Sequence, residues 1–185
     1  MIKQPAELPI TLNHTLVPIT NLYISRGHNF FGHHGREADT HETIECAEIH
    51  CVKGRGIRGD RFFNDKPNHS GQITFFAQET HEAICHELNV FDKDASVFRR
   101  NVITSGVTLN DWIDREFEIQ GIRFRGVEEC KPCYWMDRAF APGAEAFLRG
   151  RGGLRAVILS DGILRAELKR QNFSGTLHVN NEAAA

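Results

Sequence analysis

The segment REFEIQGIRFRG, residues 115–126, constrains the fold more than any other part of the chain. Apolar side chains alternate with polar ones on both sides of Gln120-Gly121. Alternation on either side of two residues that accept turn conformations is typical of a β-hairpin with a two-residue loop. We therefore expect an antiparallel pair of half-buried strands here.

Other regions also predict short strands. LRAVILSDGILRAEL, residues 154–168, repeats the hairpin pattern with Asp161-Gly162 as the turn. In TIECAEIHCV, residues 43–52, the alternation changes phase, and a β-bulge near Cys46 would account for the change. The apolar runs in GQITFF and RRNVIT predict two further strands that are buried.

Helical periodicity is confined to two segments. In AQETHEAICHELNVF, residues 77–91, apolar and small side chains recur on one helical face. PGAEAFLRG, residues 142–150, has proline near its start and glycine after its end, as short helices often do. Many short strands, glycine-rich turns and little helix predict a mainly β domain, built as a closed or nearly closed β-barrel with a few short α-helices.

Composition limits the classes of function. The chain has 185 residues, 41% of them apolar, and a formal net charge of -2. We expect one domain over residues 1–179 and a flexible tail over 180–185. The balanced charge predicts neither nucleic-acid binding nor membrane binding. The N-terminus has no apolar signal-peptide segment, and the five cysteines are an odd number, so we expect reduced thiols in a cytoplasmic protein.

Four connections are rich in glycine, arginine or histidine. They are GHNFFGHHG (27–35), KGRGIRGDR (53–61), FRRNVIT (98–104) and RGRGG (149–153). Each one alone is compatible with an ordinary turn or with solvated arginines. If they meet at one end of the barrel, however, guanidinium groups and backbone N–H groups would form a pocket for a phosphate-bearing ligand.

The segment EECKPCYWMD, residues 128–137, places Cys130 and Cys133 two residues apart. A C-x-x-C sequence can be half of a zinc site, a dithiol redox pair, or a loop in which one sulfur is functional. No second C-x-x-C occurs, and a dithiol motif usually opens a helix after a strand. The residues alone leave these three readings open.

Taken together, these motifs resemble the MOSC family, the domain named after the C-terminal part of the molybdenum cofactor sulfurase. The similarity extends in order from LYISRGHNFFGHHG through GIRGDR, HSGQITFFAQET, FRRNVIT and GIRFRGVEECKPCYWMD to RGGLRAVIL. It is greatest to members that consist of this domain alone. The resemblance implies a β-barrel that binds the molybdenum cofactor, a phosphorylated pterin whose dithiolene holds the metal.

The resemblance also assigns roles to residues. The proline–cysteine pair before an aromatic residue implies that Cys133 is the functional thiol, as a molybdenum ligand or as a carrier of sulfur. The F-R-x-N strand implies cofactor binding by Arg99 and Asn101. The remaining cofactor-binding candidates come from the three connections that contain glycine: Arg58, Arg61, Arg151, Gly152, Gly153, His33 and His34. We expect the two histidines chiefly to shape their loop.

Three classes of function follow. The first is a molybdenum-dependent enzyme that reduces N-hydroxylated compounds with a partner electron donor, or a sulfur carrier for metal–sulfur cofactor maturation that is loaded by a cysteine desulfurase. Nearby arginines would favour the nucleophilic thiolate of Cys133 in either case. The alternatives are a dithiol oxidoreductase that uses Cys130 and Cys133 together, and a non-catalytic binding module stabilised by zinc.

Overall fold

The computed structural model describes residues 16–30, 37–66 and 69–167, which form ten strands, three α-helices and two 3₁₀ helices. The strands are β1 (Ile19–Ile24), β2 (Ile44–Cys46), β3 (Glu48–Val52), β4 (Gly56–Ile57), β5 (Ile73–Ala77), β6 (Val102–Thr104), β7 (Glu116–Ile119), β8 (Ile122–Glu129), β9 (Leu154–Ile158) and β10 (Gly162–Arg165). The helices are α1 (Gln78–Leu88), α2 (Trp135–Ala139) and α3 (Ala144–Leu148), and the 3₁₀ helices are Ala95–Phe98 and Leu109–Trp112.

The strands form two sheets. Seven strands pair in the order β2-β1-β6-β5-β9-β8-β7, and three pair in the order β10-β3-β4. All pairings are antiparallel except that of β5 with β6. The prediction of a mainly β domain with a few short helices is confirmed.

The large sheet is buried on both faces, which explains the continuous apolar runs in β5 and β6. Phe75 and Val102 belong to the core between the two sheets, whereas Phe76 and Ile103 belong to a second core under the helices. Successive side chains of a strand point to opposite faces, so a strand covered on both sides requires apolar residues at consecutive positions.

The hairpin predicted in residues 115–126 is confirmed as β7 and β8. Gln120 and Gly121 form its two-residue turn with φ angles of 51° and 79°. Two consecutive positive φ angles match the right-handed twist of the adjoining strands, as in a type I′ turn. The helices predicted within residues 77–91 and 142–150 are confirmed as α1 and α3, whereas α2 was not predicted.

The second predicted hairpin, in residues 154–168, is wrong. β9 pairs with β5 and β8 in the large sheet, whereas β10 pairs with β3 in the small sheet. The chain turns a corner between the sheets at Asp161, whose Oδ1 accepts a hydrogen bond from the Lys53 N–H at 2.7 Å. The Asp-Gly signal correctly marks a turn, but a turn signal does not specify which strands pair across it.

The bulge predicted near Cys46 is also wrong. β2 ends at Cys46 and β3 begins at Glu48 in the other sheet, with a bend at Ala47 between them. The change of phase in the apolar pattern therefore records a change of sheet, because β2 and β3 cover different parts of the same core.

The sheets do not close into a barrel within the part of the chain that the structure describes. β2 and β7 lie at opposite edges of the large sheet, and the small sheet covers its apolar face instead of joining those edges. The prediction of a closed or nearly closed barrel is therefore wrong for these residues. Closure depends on pairing between strands far apart in sequence, which turn residues do not encode.

The predicted domain limits stay predictions, since residues 168–185 and 1–15 lie outside the described part. No helix among the described residues has the length and apolar character needed to span a bilayer.

Candidate functional site

A cavity of about 210 Å³ lies beside β5 and β9, where several connections meet. It receives side chains from the loop after β1, from the β4–β5 connection, from the segment before β6 and from the loop after β8. Five cationic side chains line it: Arg61, Arg99, Arg100, Lys131 and Arg155. Both thiols of the C-x-x-C sequence line it as well, and no carboxylate is among its described lining residues.

Arg61 is held from three directions. Its Nη2 donates to the Arg99 carbonyl at 3.2 Å, and its Nη1 lies 3.4 Å from Oδ2 of Asp60. The guanidinium also lies over the Phe62 ring, 4.8 Å from its centroid. Burial lowers the pKa of Arg61, Asp60 opposes that shift, and Arg100 adds to it. The side chain is only 9% exposed, so its charge faces the cavity with little solvent around it.

Arg99 anchors the loop that follows β1. Its backbone has a left-handed φ of 56°, which ends a 3₁₀ helix and turns the side chain toward that loop. The guanidinium donates to the carbonyls of Gly27 at 2.6 Å and His41 at 3.2 Å, and to the hydroxyls of Ser25 at 2.8 Å and Thr43 at 3.3 Å.

Most hydrogen-bonding capacity of Arg99 is therefore used within the protein, although its charge still contributes to the cavity. Burial, and then the neighbouring Arg61, lower the pKa of Arg99 to about 10. The guanidinium therefore stays charged at neutral pH.

Asn101 lies beneath the cavity and does not line it. It is 2% exposed, and its Oδ1 accepts from the N–H and hydroxyl of Thr74 at 3.0 and 2.9 Å. Its Nδ2 donates to the Tyr23 carbonyl at 3.1 Å and to Asp60 at 3.2 Å. The structure thus gives this predicted cofactor-binding residue a supporting position.

The glycines of the RGRGG segment pack against the loop that carries the thiols. A side chain on Gly152 would collide with the Cys130 carbonyl, and one on Gly153 would collide with the Phe75 carbonyl. The Cys130 N–H donates to the Gly153 carbonyl at 2.7 Å, and Nε of Arg100 donates to the Gly152 carbonyl at 3.1 Å. These glycines therefore position the C-x-x-C loop through close backbone packing.

The two cysteines of this loop differ in exposure. Cys130 is 3% exposed, whereas Cys133 is half-buried at the cavity wall, just before α2. The Met136 N–H in α2 donates a hydrogen bond to the Cys133 carbonyl at 2.8 Å. All five cysteines are free thiols, and Cys133 is the more accessible of this pair.

Aromatic rings flank the cavity on two sides. His28 meets the Phe62 ring edge to face at 4.8 Å, and His69 stacks on the same ring at 4.8 Å. Phe30 stacks on Trp135 at 4.9 Å. Burial, and then the charge of Arg61, lower the pKa of His28, so its imidazole is neutral at pH 7. His33 and His34 lie outside the described residues.

Two predicted cofactor-binding arginines lie away from the cavity. Arg58 is exposed, and its guanidinium carbon is 5.9 Å from the centroid of the Phe63 ring. Arg151 is exposed and lies over Phe147 at 4.6 Å. The structure therefore brings together Arg61, Arg99 and Cys133 and separates them from these two.

Several lining residues were not predicted. Arg155 lies on β9 as the polar partner in an alternating strand, and His69 lies in HSGQITFF, a motif that carries the family resemblance. His69 could have been found from its place in that motif. Arg155 lies in RGGLRAVIL, which also carries the resemblance, but an arginine on a strand is usually solvated, so its residue type does not mark it.

The described residues contain no group of three or more histidine, cysteine or acidic side chains that could hold a metal ion by themselves. A zinc site made entirely by these residues is therefore not present. A thiol beside several cations and aromatic rings is instead suited to an anionic, partly planar ligand.

Comparisons with known proteins agree with the resemblance seen in the sequence. The MOSC domain model matches residues 48–168, which is more than half of the chain. The solved structure of YuaD from Bacillus subtilis has a TM-score of 0.62 at 18% identity, over 81% of this chain and 91% of that chain. No curated protein shows significant sequence similarity to this chain.

Two YiiM structures are also similar. YiiM from Escherichia coli has a TM-score of 0.57 at 16% identity, over 82% of this chain and 66% of that chain. YiiM from Geobacillus stearothermophilus has a TM-score of 0.58 at 13% identity, over 80% of this chain and 71% of that chain. Identities this low establish a shared fold alone.

Proposed function

Because the chain belongs to the MOSC domain family, we propose that its cavity binds the molybdenum cofactor and that Cys133 is the thiol that acts on it. The observation that carries the proposal is the placement of this thiol in a cavity with five cationic side chains and no carboxylate among the described lining residues. Such a cavity favours an anion that can also interact with sulfur.

The balance of positive and negative side chains around the cavity supports an anionic ligand. Asp60 is the buried carboxylate next to Arg61, while Arg99 and Arg100 lie in the same region. Buried positive charge in excess of its counter-charges is costly, and a bound anion offsets that cost.

The residues present fit a phosphorylated pterin in chemistry. Arg61, Arg100, Lys131 and Arg155 provide donors for a phosphate, and the rings beside them provide apolar walls for a planar group. The volume of about 210 Å³ is below the roughly 300 Å³ at which pockets for larger ligands begin. We therefore expect one end of the ligand to lie inside and the remainder to extend outward.

The thiol of Cys133 is a chemically suitable partner for molybdenum, because thiolates are soft ligands. When bound, the cofactor would supply two-electron chemistry at the metal. The chain itself would hold the anionic group with its arginines, place Cys133 through the packing of Gly152 against the loop, and limit access of water with Phe30 and Trp135.

Two activities are compatible with this assignment. One is the reduction of N-hydroxylated compounds, with electrons from a flavin or haem partner. The other is sulfur transfer, in which Cys133 carries a persulfide supplied by a cysteine desulfurase. The dithiol alternative is less well supported, because Cys130 is 3% exposed and α2 begins only after Cys133.

The proposal is tested by purifying the protein from a host that makes molybdenum cofactor and measuring bound molybdenum and pterin. We expect both in the unsubstituted protein and loss of molybdenum in Cys133→Ser. Cys46→Ser is the matched control, because Cys46 is a half-buried thiol outside the cavity lining. Absence of molybdenum and pterin, with a persulfide on Cys133, would instead indicate sulfur transfer. Absence of all three would reject the proposal.

A further inference from the structure

Asp60 connects three of the loops that form the cavity. Its Oδ2 accepts hydrogen bonds from the Ser25 N–H at 3.1 Å and from Nδ2 of Asn101 at 3.2 Å. Its Oδ1 accepts from the Phe62 N–H at 3.2 Å. The side chain is 1% exposed, so these bonds replace its contacts with water.

The same carboxylate touches the arginine that faces the cavity. Oδ2 of Asp60 lies 3.4 Å from Nη1 of Arg61. The Nη2 of the same guanidinium donates a hydrogen bond to the Arg99 carbonyl. The guanidinium is thus held between two fixed acceptors and the Phe62 ring.

We propose that Asp60 is a positioning residue, which aims the guanidinium of Arg61 at the anion-binding cavity and fixes the loops on either side of it. Asp60 does not line the cavity, so it acts on a ligand only through Arg61 and the loops. The inference rests on the proposed function only in that the cavity binds an anion.

Positioning and simple charge balance predict opposite results for Asp60→Asn. If the carboxylate only offset the arginines, its removal would raise the positive potential in the cavity and strengthen attraction of anions. If it positions Arg61, removal would let the guanidinium move away and weaken that attraction, although the formal positive charge of the site increases.

Cys133 provides a reporter for this potential that needs no cofactor. Dithiobis(nitrobenzoate) is a dianionic disulfide and dithiodipyridine is a neutral one, and both are attacked by the thiolate with release of one arylthiol. The ratio of the two rates at Cys133 measures how strongly the cavity attracts anions. Modified Cys133 is followed by digestion and mass spectrometry in a Cys46→Ser background, with Cys133→Ser as the blank.

We expect the anionic-to-neutral rate ratio to fall by roughly tenfold in Arg61→Gln. It should fall in the same direction in Asp60→Asn, with no further fall in the double variant, because both changes remove the same aimed charge. An unchanged or increased ratio in Asp60→Asn would overturn the inference.

Arg61→Lys keeps the test decisive if Asp60→Asn fails to fold. Lysine retains the charge but cannot contact Asp60 and the Arg99 carbonyl with one planar group. Positioning therefore predicts a lower ratio for Arg61→Lys, and a ratio equal to that of the unsubstituted protein would contradict it. Molybdenum analysis tests the proposed function separately, so the two can fail independently.

Discussion

The β7–β8 hairpin and the cavity loops both carry many charges, but they use them differently. On the hairpin, Glu116 lies opposite Arg125, and Glu118 lies opposite Arg123. Both arginines are exposed to water. Opposite charges at facing strand positions contribute little in water and can be replaced at small cost.

In the cavity loops two arginines are buried beside a single buried carboxylate. Arg61 and Arg99 are about nine-tenths buried, with Asp60 as their shared neighbouring carboxylate. Their guanidinium groups donate to backbone carbonyls and hydroxyls of other loops and to Asp60. The comparison teaches that an arginine in a connection is informative about function only when its burial is known, because burial makes its hydrogen bonds specific and its charge effective.

The largest expected difference in stability between the two regions comes from replacing a glycine in each of them. Gly152→Ala would force a methyl group into the Cys130 carbonyl, so the cavity loops must move. We expect a loss of about 3 kcal/mol in the free energy of unfolding, measured by chemical denaturation. Gly121→Ala in the hairpin turn is the control: its φ of 79° is strained, but nothing lies within 4 Å, so about 1 kcal/mol is expected. Equal losses would remove the proposed role of Gly152.

The next largest difference in stability is expected from replacing an arginine in each region with lysine. Arg99→Lys retains charge but cannot reach the four acceptors that the guanidinium fork serves, so we expect a loss of about 2 kcal/mol in unfolding free energy. Arg125→Lys on the hairpin should change it by less than about 0.5 kcal/mol. Similar losses of unfolding free energy in the two variants would contradict the distinction between buried and exposed arginines.

The smallest expected effect is the pH dependence caused by His28. Because burial lowers the pKa of His28 below 6.5, the unfolded chain binds the proton more readily than the folded protein does. The contribution of neutral His28 to the free energy of unfolding is therefore fully present above pH 6.5, and it decreases as the pH falls below that value. His28→Gln should show a smaller decrease when denaturation curves are compared between pH 8 and pH 5 (about the range in which histidine titrates). An identical decrease in both proteins would exclude His28 as its source.

Much of the local structure could be predicted from the sequence. The alternation around Gln120-Gly121 gave the hairpin correctly, and the helical face in residues 77–91 gave α1. The consecutive apolar residues of β5 and β6 predicted their burial. These signals are local, because side-chain periodicity and turn residues act within a few residues of chain.

The pairing of strands could not be predicted in the same way. Residues 154–168 look like a hairpin, yet β9 and β10 belong to different sheets. The phase change near Cys46 was visible, but its cause was a change of sheet. Pairing depends on which distant apolar face a strand covers, and this information is spread over the whole chain.

The candidate site shows the same division. The sequence by itself determined which chemical groups were available: the proline–cysteine pair at Cys133, the arginines near glycines or at strand edges, and a family resemblance that specified their order. The tertiary structure alone decided that Arg61 and Arg99 meet Cys133 at one cavity while Arg58 and Arg151 do not. The physical reason is that a charge acquires its strength and direction from burial and from hydrogen bonds to distant backbone atoms, which exist only when the loops have packed together.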